Sequence, residues 1–120
     1  MTISASSPVT FAFNRNGGAD IQAEVQVWIK KDVFNSNDRP VVRLPFHEAT
    51  QPTESKQINL SSGTYVCVAL CLVREALNGV FDFRFDVAGT PAYAKNGDVN
   101  TTPNPNDLQN FKSDFDLNIA

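Results

Sequence analysis

Apolar and polar residues alternate one by one over much of this chain, and this period of two constrains the fold more than any other feature of the sequence. Successive side chains of a β-strand point to opposite faces of its sheet, so the alternation predicts strands with one buried face. Residues 21–29 show it most clearly. Their inward set is Ile21, Ala23, Val25, Val27 and Ile29. The same pattern predicts strands at 9–13, 80–87 and 114–119, and no helical pattern extends beyond about one turn.

Turn-forming residues separate these runs at the spacing of a β-sandwich. The run Asn16-Gly17-Gly18 tolerates positive φ and predicts a hairpin between the first two strands. Pro45 lies inside a short apolar run at 41–46, which indicates an edge strand or a bulge because proline donates no ladder hydrogen bond. The predicted fold is therefore all-β, a two-layer antiparallel β-sandwich of immunoglobulin-like or jelly-roll-like type with about seven to eight strands.

Length and composition predict a single domain over residues 1–120. The chain has 120 residues, of which 42% are apolar and 19% charged, as in a globular domain and unlike a disordered segment. Three prolines and many Asn and Asp residues fall between about residues 88 and 111, so this stretch is predicted to be a long irregular loop. A final strand is expected at about 114–119.

One stretch carries a pattern shared with known modules. Leu60-x-x-Gly63-x-Tyr65, followed by a strand, a turn and an aromatic strand, resembles a pattern of several immunoglobulin-like and jelly-roll modules. The bacterial pre-peptidase C-terminal domain is one of these, and the shared stretch spans about 30 residues. The resemblance implies a β-sandwich fold and no particular activity.

Charge argues against two classes of partner. Ten basic and 13 acidic residues give a net charge of -3, and the excess lies in the last quarter of the chain. An acidic segment repels phosphates and anionic lipid, so neither a nucleic acid nor a membrane surface is expected as a partner. No apolar run approaches the roughly 20 residues of a membrane-spanning helix.

The beginning of the chain and its two cysteines bear on the compartment. Residues 1–8 are small and polar, so no signal peptide is expected. Cys67 and Cys71 lie on one predicted strand about 13 Å apart, too far for a disulfide with each other. Unpaired thiols favour the cytoplasm or another reducing compartment, and export by a non-classical route remains the alternative.

No constellation of residues predicts catalysis, and we expect the protein not to be an enzyme. His47 is the only histidine, and no Gly-x-Ser-x-Gly motif is present. One histidine and two cysteines, expected to be small buried side chains, do not make a four-ligand zinc site. No metal site and no cofactor are therefore predicted. The one oxygen-rich cluster, at 96–107, leaves calcium as an alternative, although it lacks a bidentate glutamate.

The predicted strand at 64–73 is apolar on both faces, whereas a two-layer sandwich buries only one face of each strand. The first face presents Tyr65, Cys67, Ala69, Cys71 and Val73. The second presents Val66, Val68, Leu70 and Leu72. Either the long loop covers the second face, with Tyr93, Leu108 and Phe111, or a protein partner does.

These patterns predict a non-enzymatic module that acts through protein–protein contact, with a second copy of itself as the expected partner. The predicted interface residues are Trp28, Val66, Val68, Leu70 and Leu72, since aromatic and aliphatic side chains carry interface energy. The alternative is a module that binds a carbohydrate or calcium in its loops. Trp28 or Tyr93 would then stack on a sugar, and the polar contacts would come from Asp98, Asn100 and Asp107.

Overall fold

A computed structural model describes residues 1–17, 20–46, 52–74, 80–98 and 109–120. Nine strands and no helix occur in these ranges. The strands are β1 (Thr2–Ala5), β2 (Val9–Gly17), β3 (Asp20–Ile29), β4 (Val42–Phe46), β5 (Thr53–Ile58), β6 (Gly63–Arg74), β7 (Val80–Val87), β8 (Thr90–Asp98) and β9 (Gln109–Ile119). The described part of the chain thus offers no helix with the length and apolarity to cross a membrane.

The strands form two sheets that pack on each other, and this confirms the predicted β-sandwich. One sheet has five strands in the order β1-β9-β6-β3-β4, and the other has four in the order β5-β2-β7-β8. Every neighbouring pair is antiparallel except β1 with β9, which is parallel. β4 is an edge strand, as its proline predicts.

The hairpin predicted between β2 and β3 is wrong. β2 pairs with β5 and β7, whereas β3 pairs with β4 and β6 in the other sheet. The chain therefore passes from one sheet to the other between Gly17 and Asp20. Glycine and asparagine permit a sharp change of direction but do not decide whether the next strand joins the same sheet.

The irregular loop predicted over 88–111 is wrong for most of the residues that the structure describes there. β8 occupies Thr90–Asp98, and β9 begins at Gln109; residues 99–108 lie outside the described ranges. β8 is the edge of its sheet and is mostly exposed, so its sequence lacks the alternation of a half-buried strand. The strand tolerates Pro91 because this residue lies at a bulge, where the pairing of β7 with β8 shifts register.

Phenylalanine fills the space between the sheets. Rings of Phe13, Phe46 and Phe85 lie with their centroids 4.7 to 6.1 Å apart. Phe46, which the alternation leaves at a strand end, is fully buried. β6 faces the same core with the small buried residues Cys67, Ala69 and Cys71, so its inner face accommodates the large rings.

The start of β6 is held by a local hydrogen-bond arrangement that accounts for the Leu60-x-x-Gly63-x-Tyr65 pattern. The Tyr65 hydroxyl donates to the Ser61 carbonyl oxygen at 2.7 Å, as in a tyrosine corner. Gly63 has a φ of 152°, which L side chains rarely adopt. The Leu60 N–H donates to Ser7 Oγ at 2.8 Å, and that hydroxyl donates to the Leu60 carbonyl at 2.6 Å. These contacts fix the position of β6 in the sheet.

Candidate functional site: the outer face of the five-stranded sheet

The outer face of the five-stranded sheet carries an aliphatic ridge, which we define as Val66, Val68, Leu70 and Leu72 of β6. All four side chains are half-buried. β6 is the third of the five strands, so the ridge runs along the middle of the face. Trp28 of β3 lies directly beside Val66 and is half-buried too. The structure therefore brings all five predicted interface residues onto one surface.

Polar rows flank the ridge on both sides and explain why it is half-buried. The β3 row consists of Gln22, Glu24, Gln26 and Trp28, and the β9 row consists of Asn110, Lys112, Asp114 and Asp116. Each ridge residue lies in register between one residue of each row. Long polar side chains cover neighbouring apolar surface with their methylene groups, so the flanks of the ridge are shielded.

A chain of hydrogen bonds fixes the β3 row. Trp28 Nε1 donates to Gln26 Oε1 at 3.2 Å, and Gln26 Nε2 donates to Glu24 Oε2 at 2.8 Å. Arg43 of β4 lies 3.7 Å from the Glu24 carboxylate. The indole is therefore held on the outer face by its own strand.

The β9 row contains one charge that is paired and two that are not. Lys30 Nζ lies 2.5 Å from the Asp116 carboxylate. Lys112 and Asp114 have no ion-pair partner among the described residues, and both side chains are exposed. They occupy alternate positions of β9, with Lys112 beside Leu70 and Asp114 beside Val68.

The connection at 30–41 stands over one end of the ridge. The Phe34 ring lies perpendicular to Trp28, with centroids 6.0 Å apart. Asp38 shapes the segment, because it accepts from the Asn35 N–H at 2.6 Å and pairs with Lys31. These interactions hold the pKa of Asp38 below its usual value, with the Lys31 hydrogen bond as the largest cause. Together with Val66, Val68 and Asp114, the segment borders a cavity of about 480 Å³.

A second cavity of about 480 Å³ lies at the other end of the ridge. Its described lining comes from β3, β4, β6 and β9 alone, and includes Leu70, Leu72, Pro45 and Lys112. Each end of the outer face thus borders a cavity of similar volume, and the 30–41 segment lines the one beside Trp28.

Tyr93 and Phe111, the two described residues of the expected loop cover, do not cover the ridge. Tyr93 packs toward the core, with its ring centroid 5.7 Å from that of Phe83. Phe111 contacts Phe81 at 5.2 Å, also on the inner side. Both belong to strands, whose parity turns these side chains inward. Leu108 lies outside the described residues.

The residues of the alternative ligand site are not brought together with Trp28. Tyr93 belongs to the four-stranded sheet, and burial raises the pKa of its hydroxyl, with Cys71 contributing. Asp98 is half-buried at the end of β8, whereas Asn100 and Asp107 lie outside the described residues. In the part of the chain that the structure describes, no three His, Cys, Asp or Glu side chains lie together as metal ligands would.

Burial limits the reactivity of the Cys67 and Cys71 thiols at neutral pH. Cys67 and Cys71 are buried free thiols, as predicted. Burial raises the pKa of each to about 12, and a negative Asp116 adds to the effect at Cys67. The thiolate is the reactive form, so both groups are unreactive at neutral pH. His47 lies outside the described residues.

Sequence reasoning missed two parts of this surface. One is the 30–41 segment. Val33 and Phe34 could have indicated its role, because they are large apolar residues in an otherwise polar connection. Their side chains are 77% and 44% exposed. The other is the pair of charges Lys112 and Asp114, because the predicted strand begins only at about 114 and alternation does not say which strand it pairs with. The register between β6 and β9 places both charges beside the ridge.

Comparison with known proteins adds no functional information. No protein-family model matches the chain, and no curated protein matches it either. Among solved structures, the chain is similar to a DUF4425 family protein from Bacteroides ovatus. The two share 10% sequence identity with a TM-score of 0.46, over 92% of this chain and 96% of that one.

Proposed function

We propose that this protein is a non-enzymatic interaction module whose outer sheet face binds a second copy of the chain. The observation that supports this most directly is the ridge, a continuous aliphatic row in the middle of an outer sheet face. Outward positions of a sandwich strand are ordinarily polar, as they are on β7. An aliphatic row at such positions therefore favours a surface that becomes buried in a complex.

The ends of the ridge supply the anchors that a protein contact needs. Trp28 and Phe34 place two aromatic rings at one end, and aromatic side chains are enriched among the residues that dominate binding energy. The flanking rows form a polar rim around the apolar centre. An apolar centre within a polar rim is the usual anatomy of a protein interface.

Sedimentation velocity over a concentration series tests the proposal. We expect the native chain to pass from monomer to dimer between micromolar and hundreds of micromolar concentration. Leu70→Asp places a charge in the middle of the ridge and should weaken the association by about tenfold or more, because a desolvated unpaired charge costs about 2 kcal/mol or more. A native chain that stays monomeric throughout the series overturns the proposal.

Val80→Asp is the matched control. Val80 is an exposed aliphatic residue, 46% accessible, on β7 of the other sheet. The same change of an aliphatic residue to an acid at this position should leave the dimer unaffected. Equal effects of the two substitutions would indicate a general effect of charge and not a contact through the ridge.

A small-ligand site is the second candidate, favoured by the cavity beside Trp28. Its volume of about 480 Å³ lies within the usual range for small-molecule sites, and Asn35, Ser36 and Asp38 add polar groups beside the two rings. A carbohydrate stacked on Trp28 would suit this lining. Tryptophan emission during titration with a glycan panel tests this candidate, and emission unchanged by every glycan rejects it.

A further inference from the structure

We infer that two copies pack outer face against outer face and are related by a twofold axis. The axis lies in the contact plane, perpendicular to the strands. It places Lys112 of each copy against Asp114 of the other. The inference rests on the self-association proposed above and specifies its geometry. The twofold passes between the Val68 and Leu70 positions of the ridge. Val68 of one copy then lies against Leu70 of the second.

The charges of β9 are the first argument. Lys112 and Asp114 are exposed, oppositely charged and about 7 Å apart along one face of the strand. Neither has an ion-pair partner among the described residues. The proposed axis exchanges their positions, so two symmetric ion pairs form from two unpaired charges in each copy.

The shape of the face is the second argument. The same rotation places the end with Trp28 and Phe34 opposite the end with Leu72 of the second copy. The 30–41 segment stands at the first end, and a cavity of about 480 Å³ lies at the second. The exposed apolar residues Val33 and Phe34 of each copy would therefore lie toward this cavity of the other copy.

A twofold axis along the strands is another way to place the two faces together, and it pairs fewer of the free charges. It would bring each position of β9 against the β3 position at the same level of the face. Lys112 would then meet Glu24, whose carboxylate already contacts Arg43 and Gln26. Asp114 would meet Gln26 and would have no cation opposite it.

Charge reversal tests the axis across the strands. Lys112→Asp puts an acid opposite Asp114 in each of the two symmetric contacts, and Asp114→Lys puts a base opposite Lys112 in each. Each change should weaken the dimer by about tenfold, since opposed like charges replace two ion pairs at an interface rim. The double variant K112D/D114K restores opposite charges and should regain native affinity.

Mixing the two single variants is the sharper measurement. A K112D chain facing a D114K chain forms two opposite-charge contacts, so the mixture should associate with near-native affinity although each variant alone associates about tenfold more weakly. The mixture also excludes misfolding as the cause of the loss. Lys95→Asp, a reversal at an exposed position on β8, is the control and should have no effect.

The outcomes separate the two proposals. Loss in both single variants with recovery in the double variant and in the mixture supports the axis across the strands. This geometry is overturned if the single reversals leave the affinity of the dimer unchanged, or if neither the double variant nor the mixture regains native affinity. Either result leaves the proposed self-association intact. A native chain that remains monomeric overturns both.

Discussion

At the scale of single residues, burial decides what each chemical group does in this protein. Cys67 and Cys71 occupy inward positions of β6 and act as small apolar side chains with a thiol pKa of about 12. Tyr65 is also buried, and its hydroxyl finds a carbonyl acceptor four residues upstream. The side-chain period of two predicted that Tyr65, Cys67 and Cys71 share one face of β6, whereas the raised pKa depends on the second sheet that covers this face.

The buried thiols predict a loss of stability at alkaline pH. In the unfolded chain they lose their protons near pH 9, whereas in the folded protein they keep them up to about pH 12. The unfolded state therefore binds fewer protons in this window, and the free energy of unfolding falls as the pH rises above about 9. The decrease should reach at most about 1.4 kcal/mol per pH unit for each thiol.

Urea denaturation between about pH 8 and about pH 10 measures this dependence. The variant carrying Cys67→Ala and Cys71→Ala serves as the comparison, because it lacks both thiols. Its overall stability is expected to be lower, but its stability should fall less steeply with pH. An equally steep decrease in both proteins would show that other groups cause it.

At the scale of elements, the central strands and the edge strand β4 were predictable, whereas the edge strands β1 and β8 were not. β3 and β7 bury one face between the sheets, so their apolar residues recur with a period of two, whereas β6 is a continuous apolar run bounded by turn residues. β8 lies at an edge with most of its residues exposed, and no such constraint acts on its composition. β1 is only four residues long and is stabilised by parallel pairing with β9. Pairing with a distant strand leaves no pattern in a short segment.

β8 nevertheless carries one position that the neighbouring strand requires. A Cβ added to Gly97 would lie 3.0 Å from Phe81 Cζ and 3.2 Å from Cε1. The Phe81 ring is buried and contacts Phe111 at 5.2 Å, so its room to move is limited. Glycine at this position lets the ring lie over the backbone of the edge strand.

Gly97→Val should therefore destabilise the protein by about 1–3 kcal/mol, as overpacking of a core does. Thermal or urea denaturation measures the change. Ala94→Val on the same strand is the control, because Ala94 is exposed and pairs with Arg84 on the outward side. It should shift stability by less than about 0.5 kcal/mol. Similar losses in both variants would contradict the packing argument.

At the scale of the whole molecule, the arrangement of the sheets decides which surface is available for contact. β6 lies in the middle of the five-stranded sheet, so its second apolar face looks outward in the centre of a broad surface. The 30–41 segment and Trp28 close one end of this surface. A partner would therefore meet the ridge and the indole together.

The single tryptophan makes this contact observable. Trp28 is the only tryptophan of the chain and is half-buried at the ridge end, so burial by a second copy should shift its emission to shorter wavelength. We expect this shift to grow with protein concentration in parallel with sedimentation, and to be absent in Leu70→Asp. A dimer that forms without a change in emission would place the contact on another surface.

The sequence by itself determined the all-β class, the inward sets of β3 and β7 apart from Ile29, which is 60% exposed, and the two apolar faces of β6. The side-chain period of two makes this possible, because it is a local record of which faces of a strand are apolar. Only the tertiary structure decided that β2 and β3 belong to different sheets, that 90–98 is a strand, and that Lys112 and Asp114 lie beside the ridge. These facts depend on which distant strands pair and in what register. The free energy of such pairings comes from contacts between residues far apart in the chain, so no short stretch of sequence records them.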